Sequence, residues 1–571
     1  MIKLLKYMRP FSLLIFLIIF LMVGMAIAEL YLPIILADMI NNGMMLGDSA
    51  YVLKKGVLML VVAIASSSFS ILGALLSAKA ALGFGRDVRN HIFTRVSSYS
   101  IEEFDKIGTA SLITRTTNDV TQIQTAIVMM LRFMIYSPIM CVGGLIMAHS
   151  VDTGLSVILL FMIPAMLIFI IIMAKYVMPL FTKIQQFVDK LNLVLRENLT
   201  GVRVIRAFNR QRHEEKRFDD ANRDLTELAI RVNRIMAFIH PVVMLFMNAT
   251  AILIIWFGGF RISAGDIQIG DMVAFLQYAM LIMFSIIMVT MMFVMIPRAQ
   301  ASAVRINEVL ESEKESLADG TMLTAKADGA VEFRCVTYRY SGASEPALKN
   351  ISFTAAAGET TAIIGGTGSG KSTLVNMIPR FFDAESGQIL VDGVDVREQP
   401  IAELRKKLSA VPQTAALFSG SAEDNIRFGS EDAAAEKIKS AAEVSQADSL
   451  IMESEISRGG ANLSGGQRQR LAIARALARE AEVYIFDDCF SALDFKTEAE
   501  LRGGLKRAIA SKTRIVVAQR ISTIIDADKI VVLNDGEVAG IGTHRELLKT
   551  CQVYCEIARS QLSEEELSDE R

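Results

Sequence analysis

The chain has 571 residues, with 59 Lys plus Arg against 61 Asp plus Glu, a formal net charge of −2, and 52% hydrophobic residues. A balance this close to zero argues against a nucleic-acid-binding protein, which carries excess basic charge, and the apolar share excludes a disordered chain. The long apolar runs lie almost entirely before Pro297, so half of the chain is solvated by lipid and the remainder reads as an ordinary soluble domain.

A hydrocarbon core of about 30 Å needs about 20 apolar residues in a helix. Six runs meet this, at 11–36, 57–82, 126–148, 154–178, 235–260 and 270–296. The first does not read as a cleavable leader, because it is long and continues through Pro33 without a small-residue cleavage site. Six crossings place both ends of this half on one side. That side carries Lys3, Lys6 and Arg9, then Arg86, Arg89, Arg95, Lys106 and Arg115, then Lys175, Lys183, Lys190, Arg196, Arg203, Arg206, Arg210 and Arg212. The opposite connections are short and nearly uncharged, as at Ser150, Val151 and Asp152. The positive-inside bias makes the basic side cytoplasmic. The expectation is a multi-pass protein of the cell membrane with both termini and the soluble half in the cytoplasm.

The two basic connections keep helical spacing, for example Phe187, Leu191, Val194 and Leu195. They read as spans continuing past the membrane and turning back near Gly108–Leu112 and Thr200–Phe208. The alternative is a pair of peripheral loops, although loops of that length are uncommon without structure.

Polar groups inside the spans are Glu29, Asp38, Arg132, Asn248, Thr250 and Gln277. Intramembrane charge is costly and faces a cavity or a partner. Glu29 sits roughly 27 Å along its helix, where it either meets a cationic solute or pairs with another helix. The sixth run holds Met280, Met283, Met288, Met291, Met292 and Met295. Methionine suits a surface that accepts several apolar shapes, and apolar filler explains the run equally well. Glu29, Met283 and Met291 are the candidate substrate-path residues. The five cysteines (Cys141, Cys335, Cys489, Cys551 and Cys555) form no CxxC pair and read as reduced structural residues, neither metal ligands nor a disulfide framework.

From Val331 the pattern changes to short β-branched strands separated by helical stretches, an α/β domain. Gly365-Gly366-Thr367-Gly368-Ser369-Gly370-Lys371-Ser372 follows the apolar stretch Thr361–Ile364 and opens a helix from Thr373. That is the strand–loop–helix context of a phosphate loop. Backbone N–H groups converge on phosphate oxygens at a helix N-terminus, Lys371 reaches the β- and γ-phosphates, and Ser372 supplies a Mg²⁺ ligand. The run Val483-Tyr484-Ile485-Phe486-Asp487 is a buried parallel strand whose carboxylate emerges at the ligand-binding end, where Asp487 holds Mg²⁺ through water. Between them, Leu463-Ser464-Gly465-Gly466-Gln467 precedes an amphipathic helix and forms a second glycine-rich helix N-terminus.

Walker A, LSGGQ and Walker B in this order, behind six spans with long extensions, resemble an ABC exporter half-transporter of the bacterial multidrug type, and the resemblance covers nearly the whole chain. It implies an all-α six-helix transmembrane domain with long cytoplasmic helical extensions at 1–310 and a linker at 311–330. An α/β P-loop nucleotide-binding domain at 331–560 and an acidic tail at 561–571 follow. The turns near 108–116 and 200–208 become coupling helices. Tyr340 resembles the aromatic that stacks on adenine, and Thr373 completes the phosphate loop. Gln413 resembles the Q-loop residue and a Mg²⁺ ligand, and Asp494 in Ser491-Ala492-Leu493-Asp494 resembles the D-loop. The cofactors implied are ATP and Mg²⁺. His544 matches a family turn and not a catalytic histidine.

Two positions depart from the family pattern. The residue after Walker B, normally the glutamate general base, is Asp488, and the switch position, normally histidine, is Gln519. Asp is shorter by about 1.5 Å, and a misplacement of about 1 Å can cost on the order of 100-fold. Gln can donate one hydrogen bond to a γ-phosphate but cannot become cationic as His can. Together they describe a degenerate site that binds ATP and cleaves it slowly. The intact LSGGQ serves a partner's site, because in this family two nucleotide domains meet head to tail. The resemblance thus implies a heterodimer with a non-identical half-transporter, set in the lipid bilayer and exporting small amphipathic or drug-like compounds. A lipid or peptide exporter, and an ATP-gated channel or regulator, are the alternatives. The segment Ile451–Gly460 is shorter than the family's.

Overall fold

Apolar runs longer than a bilayer is thick become continuous helices, because a helix satisfies all of its backbone hydrogen bonds within one segment in lipid. In the computed structural model, which describes residues 1–312 and 328–562 except the side chains of 291, 293 and 294, all six runs are helical. A 3₁₀ segment, Ile2–Phe11, leads into α1 (Ser12–Met39), followed by α2 (Ser49–Ser97). After α3 (Ile101–Ile107) come α4 (Thr109–Val151), α5 (Thr153–Ala207), α6 (Gln211–Ser263) and α7 (Ile269–Glu311). The linker expected at 311–330 and the tail at 561–571 fall mostly outside the described residues.

Two compact units result: Met1–Ser97 with Thr109–Glu311, and Ser98–Gly108 with the chain from Ser312 onward. The short helix of the first basic connection is thus α3, which clusters with the soluble unit, and not the segment 108–116. Ser100 caps α3 by accepting from Glu103 N at 3.2 Å, and Gly108, at φ 78°, closes it. Residues 109–116 already belong to α4. In the second connection residues 200–207 are the last turns of α5, and the reversal is made by Phe208–Arg210 with Asn209 left-handed at φ 52°.

Within the membrane unit, Met140, Leu155, Ile254, Phe275, Tyr278 and Met283 form the core. Gly144 lets α4 approach α7, since a Cβ there would lie 2.7 Å from Ile282 Cγ1. Three of the six polar residues of the spans, Glu29, Asp38 and Thr250, have hydrogen-bond or ion-pair partners among the described residues. Glu29 accepts from the Tyr136 hydroxyl and, at 3.4 Å, from Ser66 Oγ. Asp38 pairs with Lys55 at 2.5 Å and accepts from Tyr51 and Asn42, and Thr250 Oγ1 bonds back to Phe246 O. Met283 is fully buried, with its sulfur 3.8 Å from Thr250 Oγ1, so within this chain it packs and lines no open face. The Met291 side chain lies outside the described residues.

In the soluble unit, β1 (Val331–Tyr338) and β2 (Leu348–Ala355) pair with β4 (Ser386–Val391) and β5 (Val394–Asp395) in a four-stranded sheet ordered β2-β1-β4-β5. A six-stranded sheet carries β3 (Thr360–Gly365), β6 (Leu408–Val411), β7 (Val483–Asp487), β8 (Thr513–Val517), β9 (Lys529–Asn534) and β10 (Glu537–Gly542), ordered β10-β9-β3-β8-β7-β6. Its strands are parallel except for the edge strand β10. All five residues of β7 are buried, as a central parallel strand requires.

Candidate nucleotide site

Parallel register brings three loops to one edge of the sheet. Val517 of β8 lies opposite Ile363 of β3 and Asp487 of β7, so Gly365, Asp488 and Gln519 all leave the sheet at its C-terminal edge. Ligands bind at this edge in open α/β sheets.

The loop after β3 is shaped by its glycines. Gly368 and Gly370 hold φ of 84° and 94°, and at Gly365 any Cβ would overlap Leu533 O. Gly370 leads into α8 (Lys371–Met377). Gly366 and Thr367 lie exposed along the loop. Lys371 Nζ donates to Gly365 O at 2.9 Å and Gly366 O at 2.7 Å, and burial lowers its affinity for its proton. Ser369 Oγ is buried without a hydrogen-bond partner among the described residues, an unmet donor inside a loop that a phosphate oxygen would satisfy. Ser372 Oγ donates to Asp487 Oδ1 at 3.1 Å, so the hydroxyl and carboxylate that would share Mg²⁺ already touch. Burial raises the Asp487 pKa above the usual carboxylate range. Tyr340, 42% exposed, packs edge-on against Tyr338 and Phe382, and its hydroxyl is 2.9 Å from Thr373 Oγ1. These residues fit ATP with Mg²⁺.

Asp488 takes the left-handed conformation at φ 47°, which Asp tolerates better than most residues, and its N–H is held by Val517 O at 3.0 Å. Its side chain is nearly buried, at 6% exposure. One oxygen, Oδ2, accepts from Gln519 Nε2 at 2.7 Å and from Gln413 Nε2 at 3.2 Å. Gln413 is in turn held through its carbonyl by Gln469 Nε2 at 2.7 Å. Asp488 and Gln519 are therefore bonded to each other, and Gln413 joins them.

The signature opens α9 (Gly465–Ala478). Leu463 anchors it in the core, and Ser464 and Gln467 form a reciprocal capping box. The short segment before it folds tightly. Glu455–Ile456 pairs with Gly420–Ser421, and Asn462 Oδ1 accepts from Ser457 N at 2.9 Å. Gly465 and Gly466 approach Ala492, two residues before Asp494. Asp494 caps α10 (Phe495–Ala508) by accepting from Thr497 N and Thr497 Oγ1, and those bonds hold its pKa low.

The sequence reading missed Glu498, a fully buried carboxylate in α10 that accepts from Thr523 Oγ1. Its signal was present: Glu498 shares a helical face with Leu501 and Leu505, a charge within an apolar stripe.

The family model described as ABC transporter transmembrane region matches residues 14–287, and the one described as ABC transporter matches 348–491. The chain is 39% identical over 565 residues to an uncharacterized ABC transporter ATP-binding protein of Mycobacterium tuberculosis, covering 97% of both chains. It is 37% identical to one of Bacillus subtilis, covering 99% of both. It is 32% identical to an ATP-dependent lipid A-core flippase of Pseudomonas aeruginosa, over 87% of this chain and 83% of the other. The fold is that of a bacterial Atm1-family ABC exporter with ATP bound, at a TM-score of 0.80 and 23% identity, covering 97% of this chain and 99% of that one.

Proposed function

The chain belongs to the ABC transporter family, and from that premise we propose that it is the degenerate-site half of a heterodimeric exporter of amphipathic or drug-like compounds. ATP binds at the phosphate loop with Mg²⁺ on Ser372, Asp487 and Gln413. The coupling turns transmit closure of the nucleotide domains to the spans. The LSGGQ of this chain completes the partner's site, where most hydrolysis occurs. Both termini lie in the cytoplasm.

The observation that carries this reading is the Gln519–Asp488–Gln413 cluster. A general base must reach the attacking water, and here a carboxylate one methylene short is held by two amides on one oxygen. The switch residue spends its amide on Asp488. An ATP-gated channel is less well supported, since Asp38, one of few charges available to line a pore, is ion-paired to Lys55. A lipid exporter has one observation in its favour, the flippase relatives. The test is ATPase activity of the chain purified alone and with its partner half. Low activity alone, raised by the partner, supports the proposal, and robust turnover by the isolated chain overturns it. Transport of amphipathic dyes against lipid headgroup analogues in vesicles separates the substrate readings.

A further inference from the structure

We propose that Glu498 is a positioning residue for Gln519, a role that rests on the reading of Gln519 and Asp488 as the groups that meet γ-phosphate and water. Glu498 sits on the first turn of α10, four residues after the helix cap Asp494, and its side chain is 2% exposed. Oε1 accepts from Thr523 Oγ1 at 2.7 Å and lies 3.8 Å from Arg502 Nε. Oε2 lies 3.6 Å from Arg520 Nη1. Arg502 Nη1 continues the cluster by donating to Ser522 O and Thr523 O at 2.7 and 3.0 Å, and Arg520 lies over the Phe495 ring at 5.1 Å. All the segment's partners on this side come from α10. On its other side, Gln561 accepts from Ile521 N and donates to Gln519 O, both at 2.8 Å.

These contacts fix residues 520–523, the segment that leaves β8 directly after Gln519. Without them the Gln519 side chain has no fixed origin from which to reach Asp488. Stability alone does not account for the carboxylate. A buried ion pair is often neutral or worse than an apolar side chain of similar volume, and the face of α10 that Glu498 occupies is otherwise built from Leu501 and Leu505. Moreover, Oε2 has no hydrogen-bond partner among the described residues. A charge kept at that cost, tied to the residue after Gln519, is explained by the geometry it imposes.

The experiment uses the full chain co-reconstituted with its partner half in lipid nanodiscs with Mg-ATP, the partner's own hydrolytic site silenced, comparing wild type with Glu498→Gln, Thr523→Val, Gln519→Ala and the Glu498→Gln/Gln519→Ala pair. Hydrogen exchange of residues 519–524 rises at least fivefold in Glu498→Gln, while residues 361–372 stay protected. Single-turnover ATP cleavage falls three- to tenfold with half-saturating ATP changed less than twofold. Thr523→Val moves both readouts in the same direction. In the Gln519→Ala background Glu498→Gln lowers cleavage no further, because its effect passes through Gln519. Unchanged exchange at 519–524, exchange raised equally throughout the soluble unit, or effects on cleavage that multiply would each overturn the proposal. If Gln519→Ala leaves cleavage unchanged, the role given to Gln519 fails, and exchange at 519–524 still decides whether Glu498 holds the segment. The cycle is a ratio, so it reads the same whether the wild-type site is slow or fast.

Discussion

Gln519 Nε2 donates to Asp488 Oδ2 at 2.7 Å. Asp488 and Gln519, the two positions read from the sequence as departures from the family resemblance, therefore act as one interaction and not as two independent residues. Gln413 adds a second donor to the same oxygen, at 3.2 Å.

Reversing both changes is therefore expected to give more than reversing each. Asp488→Glu with Gln519→His should raise single-turnover ATP cleavage by about 10- to 100-fold, and either change alone by less than its share, because contacting residues are not additive. Rapid-quench measurement of the four proteins checks this. A double variant no faster than wild type would place the defect elsewhere in the site.

The upward shift of Asp487 carries a pH dependence. Burial favours its neutral form, whereas Mg²⁺ needs the carboxylate ionised. As pH falls through the raised pKa, the proton displaces the metal, so Mg-ATP affinity should weaken at a higher pH than an ordinary aspartate would dictate. Below that point the apparent affinity should fall tenfold per pH unit, and it should be flat above it. Fluorescent-nucleotide titrations across the acid range measure this. In Asp487→Asn the affinity is low throughout and the slope disappears.

Much of this architecture was legible because its determinants are local. The spans were set by runs of apolar residues, and the phosphate loop by glycines whose conformations no other residue adopts freely. What escaped depended on contacts distant in sequence. Lys55, which neutralises Asp38, belongs to the next helix, and nothing in the local pattern announces the pairing. Met283 is as apolar buried as it would be lining a cavity, so its place in the core was invisible. The α3 cross-helix lies before Gly108, not after it, because a serine cap and a left-handed glycine bound it. Those two signals were readable at Ser100 and Gly108.

Gly365→Ala should weaken nucleotide binding while leaving the sheet folded. The added methyl would overlap Leu533 O of the neighbouring strand and crowd Ser369 Oγ at 2.6 Å, so the loop must move away from β9. An affinity loss of at least about tenfold corresponds to roughly 1.4 kcal/mol of misplacement. Circular dichroism should be unchanged, and fluorescent-nucleotide binding should drop.

The membrane unit carries its own test at Asp119, which is 1% exposed in the π-helical turn Arg115–Asp119. Its carboxylate accepts from Ser302 Oγ at 2.9 Å and from Arg305 Nε at 2.8 Å, and the other Arg305 nitrogen engages it as well. Arg115 adds a bond to Arg305 O at 2.8 Å, so α4 and α7 are joined by a bidentate pair and a backbone contact. Removing one partner of a buried pair leaves an uncompensated charge and costs about 3–5 kcal/mol. The Arg305 side chain is 44% exposed, so solvent screening places this pair at or below the lower end. Arg305→Ala should therefore lower the local opening free energy of residues 115–122 by about 2–3 kcal/mol, read by hydrogen exchange in nanodiscs. Asp119→Asn keeps the shape and removes the charge, and should cost less. Adding Asp119→Leu to Arg305→Ala should restore part of the loss, because the buried charge is then gone. If the double variant opens more readily than Arg305→Ala, the pair is held by shape and hydrogen bonding, and its charge contributes little.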